Sequence, residues 1–266
     1  MPIKIKFIRN IVRYIVSLTL KIKGFIDFRI SILLRKPYFG VYLSAGQTWL
    51  TRRGVMRQLL ENELSKINNK DYKILEIGSW AGQSTLLWAS VCRKYKRGKV
   101  FCIDTWGAAV NSPKDMINAT KKDKIMKLFL HNISVSGLRN LIIPIRGTSN
   151  EVFKILKTNE FNFIYIDGDH SYKQFKKDLE NYSKLCKVGG IICGDDFEIS
   201  LSDIDLENAR KYSEEDFIKD PKTGRFFHPG IALGIKDVFK NVNAFNGFWA
   251  IKKAKKGWED IDFSKI

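Results

Sequence analysis

The stretch Lys73–Ser84, KILEIGSWAGQS, decides the fold of this chain. Its apolar residues up to Ile77 predict a short strand, the glycines Gly78 and Gly82 predict a turn, and a helix is expected to open at Gln83. A glycine turn of this kind lets the backbone pass close to a ligand and points amide N–H groups at it. The dinucleotide spacing G-x-G-x-x-G is absent, so the stretch alone fits an ordinary bend as well as a cofactor site.

Downstream of this stretch, apolar runs alternate with helical segments. Further strands are expected over residues 99–103, 141–145, 161–166 and 191–193, with a helix over residues 114–136. This alternation is typical of an α/β protein whose parallel strands are joined by crossover helices. Near the C-terminus, Asn246-Gly247 lies between two apolar runs and predicts a hairpin, which makes the last strand antiparallel. Residues 197–229 are polar and are expected to form an irregular insertion.

The composition is that of a globular chain with a basic excess. The 266 residues are 44% hydrophobic, which is enough to bury a substantial core. The four cysteines form no C-x-x-C pair and lie in apolar runs, so we expect buried free thiols in a reducing compartment. The net charge of +18 points to a polyanionic partner such as lipid head groups or nucleic acid.

Much of the basic excess lies in residues 1–36, which hold nine lysines and arginines against the single acid Asp27. Apolar residues recur there at helical spacing, which predicts a basic amphipathic helix broken near Gly24. No uncharged run approaches the roughly 18 residues needed to span a bilayer, and Arg13 interrupts any signal-peptide core. Two interpretations remain open: a helix lying in the interface of an anionic membrane, or a helix docked on protein, including a second subunit.

Acidic groups follow two of the expected strands. Asp167, Asp169 and His170 come directly after one strand, and Asp195 and Asp196 come after the next. Open α/β sheets keep their sites at the carboxyl ends of strands, and adjacent parallel strands would bring these groups side by side. Carboxylates gathered together repel one another unless a cation neutralises them, and oxygen ligands suit Mg²⁺. The alternative is that these acids only cap helices on the loops after the strands.

Three stretches carry a family resemblance: IDGDHSY at residues 166–172, KVGGIICGDDF at 187–197 and FHPG at 227–230. At this spacing they resemble the metal-dependent O-methyltransferases, including the catechol and macrocin (antibiotic-sugar) types. The turn after Glu76 also resembles motif I of class I S-adenosylmethionine-dependent methyltransferases, with Trp80 in place of the usual middle glycine. The resemblance covers roughly residues 50–252. It implies a Rossmann-like class I methyltransferase sheet over residues 37–266, with the insertion at 197–229 over the active site and residues 1–36 as a separate segment.

The resemblance also implies an S-adenosylmethionine site at the carboxyl ends of the first strands. Asp104 is expected to accept hydrogen bonds from both ribose hydroxyls. Thr148 and Ser149 occupy the place where related enzymes meet the adenine, although either residue could simply be the N-cap of the next helix. The expected cofactor-binding residues are Glu76, Gly78, Ser79, Trp80, Gly82, Ser84, Asp104, Thr148, Ser149 and Asp167.

By the same resemblance, Asp167, Asp195 and Asp196 would bind Mg²⁺, and Asp169 or His170 would be the general base. Mg²⁺ on a substrate hydroxyl lowers the pKa of that hydroxyl, and the base takes its proton before the oxygen attacks the methyl group. The sequence places His228, within FHPG, as a further residue that faces either the substrate or the interior of a turn.

These observations predict a Mg²⁺-dependent O-methyltransferase acting on a hydroxyl of a sugar, a glycolipid or another diol-bearing small molecule. Its expected location is the cytoplasm, peripheral to the inner membrane face, with self-association as a further expectation. An RNA methyltransferase is the main alternative, but no RNA-binding signature accompanies the charge. The other alternative is a cofactor-binding or membrane-associated protein without catalysis.

Overall fold

The computed structural model describes residues 3–44, 50–67, 70–107, 114–200 and 202–266. The chain divides into two compact units. The first comprises Met1–Thr48, Trp80–Gln83 and Trp106–Gly137, and the second comprises the rest of the chain. The boundary expected after residue 36 therefore lies inside the first unit, and two later segments join that unit.

The first unit begins with one long helix, α1 (Ile3–Leu33). The expected break near Gly24 is wrong, because the helix runs through this residue without interruption. Gly24 is buried, and a Cβ there would lie 2.8 Å from Cγ2 of Val41 in the loop that follows. The hydroxyl of Tyr38 donates to the carbonyl oxygen of Gly24 over 2.9 Å and accepts from the amide of Tyr42 over 2.9 Å. Gly24 is thus a point of close approach for the loop.

The helix expected over residues 114–136 is two helices, α4 (Lys114–Thr120) and α5 (Lys124–Val135). Lys122 and Asp123 between them have φ values of 57° and 56°. Residues in this left-handed region cannot continue a right-handed helix, so the chain changes direction there. The apolar periodicity that predicted one helix does not report this local conformation.

A buried amide in α5 holds the described part of the first unit together. Asn132 Nδ2 donates to the carbonyl oxygens of Tyr38 and Ala81 over 3.0 and 2.9 Å, and Oδ1 accepts from the amide of Tyr38 over 2.8 Å. One side chain therefore satisfies buried backbone groups on two separate segments, which would otherwise lack partners.

The second unit is built on a mixed sheet. The strands of this unit are β1 (Lys73–Ile77), β2 (Lys99–Asp104), β3 (Ile142–Arg146), β4 (Phe161–Ile166), β5 (Cys186–Phe197), β6 (Ile218–Lys219), β7 (Phe226–Phe227), β8 (Asn243–Phe245), β9 (Gly247–Lys253) and β10 (Trp258–Asp260). The sheet order is β10-β9-β5-β4-β1-β2-β3, with β8 also paired to β9. Strands β1 to β5 are mutually parallel, and β9 runs antiparallel to β5.

This sheet confirms the predicted α/β fold with an antiparallel strand in a C-terminal hairpin. The hairpin pairs β8 with β9 around Asn246, which has φ 50°, as the Asn-Gly sequence predicted. The central strands β1 and β4 are almost entirely buried and read as apolar runs, which is why their positions could be predicted.

The remaining described helices of this unit are α2 (Leu50–Ser65), α3 (Gln83–Tyr95), α6 (Ser149–Phe153), α7 (Tyr172–Leu185), α8 (Leu206–Lys211) and α9 (Pro229–Phe239). Helix α7 packs on β4 and β5 and against α9. A core of large apolar side chains, including Phe175, Leu179 and Trp249, fills the space between these helices and the sheet. No helix within the described ranges is both long and apolar enough to cross a membrane.

The insertion at residues 197–229 is more regular than its composition predicted. It contains α8 and the two-stranded ribbon of β6 and β7. Buried Asp220 organises it, because one carboxylate oxygen accepts from the amide of Asp205 over 2.8 Å and the other accepts from the amide of Thr223 over 2.7 Å. The sequence did not predict this structure, because it is stabilised by hydrogen bonds from a side chain to the backbone and the segment has no periodic pattern of apolar residues.

Two glycines in helices of the second unit differ in the space around them, one site being crowded and the other open, and together they test the packing. A Cβ on Gly230, in α9, would overlap the carbonyl oxygen of His170, whereas one on Gly54, in α2, would meet nothing within 4 Å. We expect Gly230→Ala to destabilise the fold by about 1–3 kcal/mol through overpacking. Gly54→Ala should stabilise it by about 0.5–1 kcal/mol by restricting the unfolded chain. Urea unfolding of both variants measures the difference, and shifts in the same direction would contradict the packing described.

Candidate active site

The turn after β1 has the close backbone approach that its glycines predicted. Gly78 has φ +87°, and a Cβ there would overlap the carbonyl oxygen of Asp167 at the end of β4. The amide of Gly78 donates to the carbonyl oxygen of Ile103 over 2.9 Å, and the amide of Asp167 donates to that of Ile77 over 2.9 Å. The ends of three neighbouring parallel strands are therefore joined by backbone hydrogen bonds at this turn.

Trp80 replaces the usual middle glycine, and its backbone keeps a conformation that favours glycine. Its φ is 44°, and that of Gly82 is +84°. A bulky residue in this region is strained by about 1–3 kcal/mol. Within the first unit, the indole Nε1 of Trp106 donates to the Trp80 carbonyl oxygen over 2.9 Å and so contributes to holding this conformation.

Glu76 lies fully buried in β1, next to the turn. Its Oε2 accepts a short hydrogen bond from the hydroxyl of Thr85. Burial raises the pKa of Glu76 to about 7, although hydrogen bonds, first that from Thr85, act to lower it. Among the described residues, neither Glu76 Oε1 nor Ser79 Oγ has a hydrogen bond of normal geometry. Unpartnered buried polar atoms are uncommon, and a polar ligand at the turn would satisfy them.

The other expected cofactor residues take positions at strand ends. Asp104 ends β2, half-buried, and its carbonyl oxygen accepts from the amide of Gly147 over 3.1 Å. Ser84 is half-buried in the first turn of α3. Thr148 is the N-cap of α6 in a reciprocal capping box with Glu151, which is the structural alternative that the sequence left open.

Ser149 also has hydrogen-bond partners within the second unit. Its hydroxyl accepts from Gln174 Nε2 over 3.0 Å, and its carbonyl oxygen accepts from the hydroxyl of Tyr182 over 2.8 Å. Contact of Thr148 and Ser149 with adenine remains a prediction.

The acidic residues expected at the ends of β4 and β5 do lie near one another. Asp167 Oδ2 accepts from the hydroxyl of Tyr165 over 3.0 Å. Asp195 forms a close ion pair with Arg52 of α2, whose Nη1 is 4.0 Å from Asp196 Oδ1. Burial raises the pKa of Asp195 well above its usual range, and the charges of Asp196 and Asp167 raise it further, against the lowering effect of Arg52. Burial and Asp167 likewise raise the pKa of Asp196.

His170 stands among these carboxylates. Its Nε2 is 3.3 Å from Asp196 Oδ2 and 3.9 Å from Asp167 Oδ1, while Nδ1 is 2.7 Å from Oδ1 of Asp216 in the insertion. Burial acts to lower the pKa of His170, but the three neighbouring carboxylates outweigh it and raise the pKa well above the usual value. The surrounding carboxylates therefore favour the protonated form of the imidazole.

A second histidine completes the cluster. The ring of His228, at the start of α9, lies 4.7 Å from that of His170 between centroids. Its Nδ1 is 2.8 Å from Oε1 of Glu198, and its Nε2 is 3.9 Å from Asp216 Oδ1. His228 therefore joins the site, one of the two positions that the sequence left open.

The two candidate general bases differ in their surroundings. Asp169 is exposed, and its Oδ1 accepts from the backbone amide of Ser171 over 2.8 Å, at the start of α7. His170 instead faces the carboxylates of Asp167 and Asp196. The geometry thus favours His170 as the residue that exchanges a proton with a substrate.

Two overlapping sets of side chains could hold a cation. His170, Asp196 and His228 each offer a ligand atom within 4.8 Å of the others. The set predicted from the sequence is Asp167, Asp195 and Asp196. The two sets have Asp196 in common, and Asp195 of the predicted set is paired with Arg52. A cation would relieve the repulsion between the three carboxylates of the predicted set, and their oxygen atoms suit Mg²⁺. The imidazole nitrogens of the other set suit transition metals.

Comparison with known proteins decides the family. Residues 75–197 match the family described as "Methyltransferase domain", and these residues include the glycine turn and both acidic strand ends. Residues 75–197 therefore form a methyltransferase domain. The predicted family and fold class are therefore confirmed.

Similar solved structures have the same fold at low sequence identity. The cofactor-bound protein Rv0187 from MTB is 12% identical, with a TM-score of 0.51 over 86% of this chain and 88% of that one. An O-methyltransferase from Bacillus cereus, in complex with SAH, is 18% identical, with a TM-score of 0.50 over 79% of this chain and 84% of that one. A candidate caffeoyl-CoA O-methyltransferase from Staphylococcus aureus is 17% identical, with a TM-score of 0.50 over 90% and 98%.

Three residues of this methyltransferase site were not assigned to it from the sequence: Arg52, Glu198 and Asp216. Arg52 lies in a helix more than 140 positions before Asp195, and no periodic signal connects them. Asp216 and Glu198 lie in the polar insertion, which holds several further acids. The placement of the insertion over the active site was the one signal that pointed to Asp216.

The buried carboxyl of Glu76 makes the stability of the methyltransferase depend on pH. Its pKa in the folded state is raised to about 7, so the folded protein binds the proton more tightly than the unfolded chain does. The stabilisation that this proton provides is fully present below pH 4.5 and is lost as the pH rises through 7. The free energy of unfolding falls by about 3 kcal/mol over this range. In Glu76→Gln this part of the pH dependence of the unfolding free energy should disappear, because the side-chain amide still accepts from Thr85 but does not titrate.

Urea unfolding between pH 5 and pH 8 measures this slope. The matched control is Glu207→Gln, which makes the same chemical change on the exposed surface of α8. Other titrating groups contribute equally to all three proteins. A Glu76→Gln protein with the pH dependence of the unmodified protein would show that Glu76 is ionised in the folded state.

Proposed function

We propose that this methyltransferase transfers the methyl group of S-adenosylmethionine to a hydroxyl oxygen of a sugar, a glycolipid or another diol-bearing small molecule, with the help of a divalent cation. The observation that carries the proposal is the half-buried cluster of Asp167, Asp196 and His170 at the carboxyl ends of β4 and β5. This edge is where open α/β sheets keep their sites. Once a cation neutralises these carboxylates, the imidazole of His170 can give up its proton and then take one from an alcohol.

The residues around the β1 turn fit the cofactor. Glu76 Oε1 and Ser79 Oγ are buried without a hydrogen bond of normal geometry among the described residues, and Asp104 ends the neighbouring strand. When bound, S-adenosylmethionine supplies a methyl group activated on a positively charged sulfur. The role of these residues is to orient that group and exclude water from it, which are large contributions in a reaction between two bound molecules.

The residues at the ends of β4 and β5 fit a divalent cation. We propose Mg²⁺ on Asp167, Asp195 and Asp196, as the resemblance implies, with Asp196 as the ligand shared with the two histidines. When bound, the cation supplies positive charge that makes a nearby hydroxyl more acidic. Arg52 already neutralises part of the charge of Asp195 and so holds this carboxylate in place.

His170 is the proton acceptor in this proposal. Asp216 engages Nδ1, which leaves Nε2 directed toward Asp196. The carboxylates favour the protonated ring, and neutralising their charge would release that proton and let His170 act as a base. Asp216 is a positioning residue, because it fixes the ring through the nitrogen that does not face the carboxylates of β4 and β5.

Transfer of labelled methyl from S-adenosylmethionine tests this proposal. The acceptors are model glycosides with vicinal diols, catechol, a glycolipid extract and bulk RNA, each with added Mg²⁺. We expect alkali-stable ether products from the diol compounds. Transfer confined to RNA would contradict the proposed substrate class. Failure of S-adenosylmethionine to raise the melting temperature would contradict a catalytic role, since a ligand at a hundred times its Kd stabilises by about 2.7 kcal/mol.

In the same assay, His170→Ala should reduce kcat by about 10²- to 10⁴-fold. Asp169→Asn is the matched control, because an asparagine oxygen can still accept from the amide of Ser171 and activity should be retained. Asp216→Asn should reduce kcat less than His170→Ala and should shift the pH profile. If Asp169→Asn abolishes transfer while His170→Ala does not, Asp169 is the base.

Calorimetric titration with MgCl₂, MnCl₂ and ZnCl₂ identifies the ligand set independently of activity. Asp196→Asn should weaken binding of every cation by at least about tenfold, since Asp196 belongs to both sets. Asp195→Asn should weaken Mg²⁺ selectively, and His228→Ala should weaken Mn²⁺ and Zn²⁺ selectively. The control is Asp203→Asn, a change at an exposed acid of the insertion. Unchanged affinities in Asp196→Asn would exclude a cation at this cluster.

A further inference from the structure

Helix α1 exposes an unusual number of large apolar side chains. Within its described side chains, Ile15, Ile22 and Ile26 are 55%, 53% and 49% exposed, and Leu33 is 81% exposed. The other exposed apolar residues of the helix are Val12, Val16, Leu18, Leu20, Phe25, Ile30 and Ile32. Soluble surfaces rarely carry a contiguous apolar area of this extent, and such areas mark interaction sites.

Five of these exposed residues share one face. Ile15, Ile22, Ile26, Ile30 and Leu33 are separated by seven, four, four and three positions, so at about 100° per residue they share a stripe about 27 Å long. We call this stripe the apolar face of α1.

The opposite side of the helix is occupied within the same unit. Gly24 lies half a helical turn from the apolar face and contacts the loop after α1. Phe28 packs against Tyr38 and Tyr42, with ring centroids 5.4 and 5.0 Å apart. The loop therefore covers one side of α1 and leaves the apolar face exposed within the first unit.

Cations accompany the apolar face. Lys23, Arg29, Arg35 and Lys36 are all exposed, and Asp27 is the one acid among the first 36 residues. In total, nine lysines and arginines occur in this segment. Anionic lipid head groups attract such residues, and the acyl boundary beneath them accepts the apolar side chains.

We propose that the apolar face of α1 binds the surface of an anionic lipid bilayer, with the helix lying in the plane of the interface. Charge decides between this occupant and two others. A second copy of the helix would bring two strongly basic segments together, which like-charge repulsion opposes. A nucleic acid would engage the cations but would leave the apolar face in water. The proposal concerns lipid binding and does not depend on the reaction catalysed.

Flotation of the full chain with vesicles tests the proposal. We expect binding to phosphatidylcholine vesicles containing 30% phosphatidylglycerol, weaker binding to phosphatidylcholine alone, and partial release by salt. The triple variant Ile15→Glu/Ile22→Glu/Ile26→Glu should bind the anionic vesicles at least about tenfold more weakly. Lys23→Gln/Arg29→Gln should weaken binding by about fivefold per cation removed, with little effect on phosphatidylcholine alone.

The matched control is Ile155→Glu, the same change at an isoleucine that is 76% exposed outside α1. It should bind vesicles like the unmodified chain, and circular dichroism and the thermal shift with S-adenosylmethionine should show that all variants are folded. Equal vesicle binding by the triple variant would overturn the proposal, as would no binding by the unmodified chain. A dimer in light scattering that the triple variant dissociates, without lipid binding, would assign the face to a second copy instead.

Discussion

Asp167, Asp195 and Asp196 bring negative charge into one buried region at the ends of β4 and β5, and each has a different partner. Tyr165 donates to Asp167, Arg52 pairs with Asp195, and His170 stands beside Asp196. The raised pKa values of Asp195 and Asp196 show that these partners offset the burial and repulsion only in part. The arrangement therefore favours any further positive charge that can enter it.

The backbone holds the loop that carries these groups from two sides. At Gly78 the β1 turn touches the Asp167 carbonyl oxygen, and at Gly230 the start of α9 touches that of His170. Both contacts are closer than a Cβ allows. The loop between the two carbonyl groups is thus fixed by its main chain before any side chain acts, which suits a site whose ring and carboxylates must keep their spacing to within about 0.5 Å.

The sequence was most informative where local patterns determine structure. Apolar runs located β1 to β5, and Asn246-Gly247 located the hairpin, because burial and turn chemistry act over a few residues. Arg52, Glu198 and Asp216 reach the site through the tertiary fold, so no local pattern reports them. The uninterrupted α1 has the same explanation: Gly24 reads as a helix break locally, but its role depends on a loop that packs against it.

The charge of the site limits which molecules can accept the methyl group there. Although the chain has a net charge of +18, the carboxylates of Asp167, Asp195, Asp196, Glu198 and Asp216 gather around Arg52 and the two histidines. A phosphate-rich polymer approaching this cluster would meet predominantly negative charge, which opposes its binding. A neutral hydroxyl compound meets no such barrier and can hydrogen-bond to the same carboxylates. The basic excess of the chain therefore lies elsewhere, including the nine lysines and arginines of residues 1–36. The acceptor chemistry is better inferred from the acidic site than from the total charge.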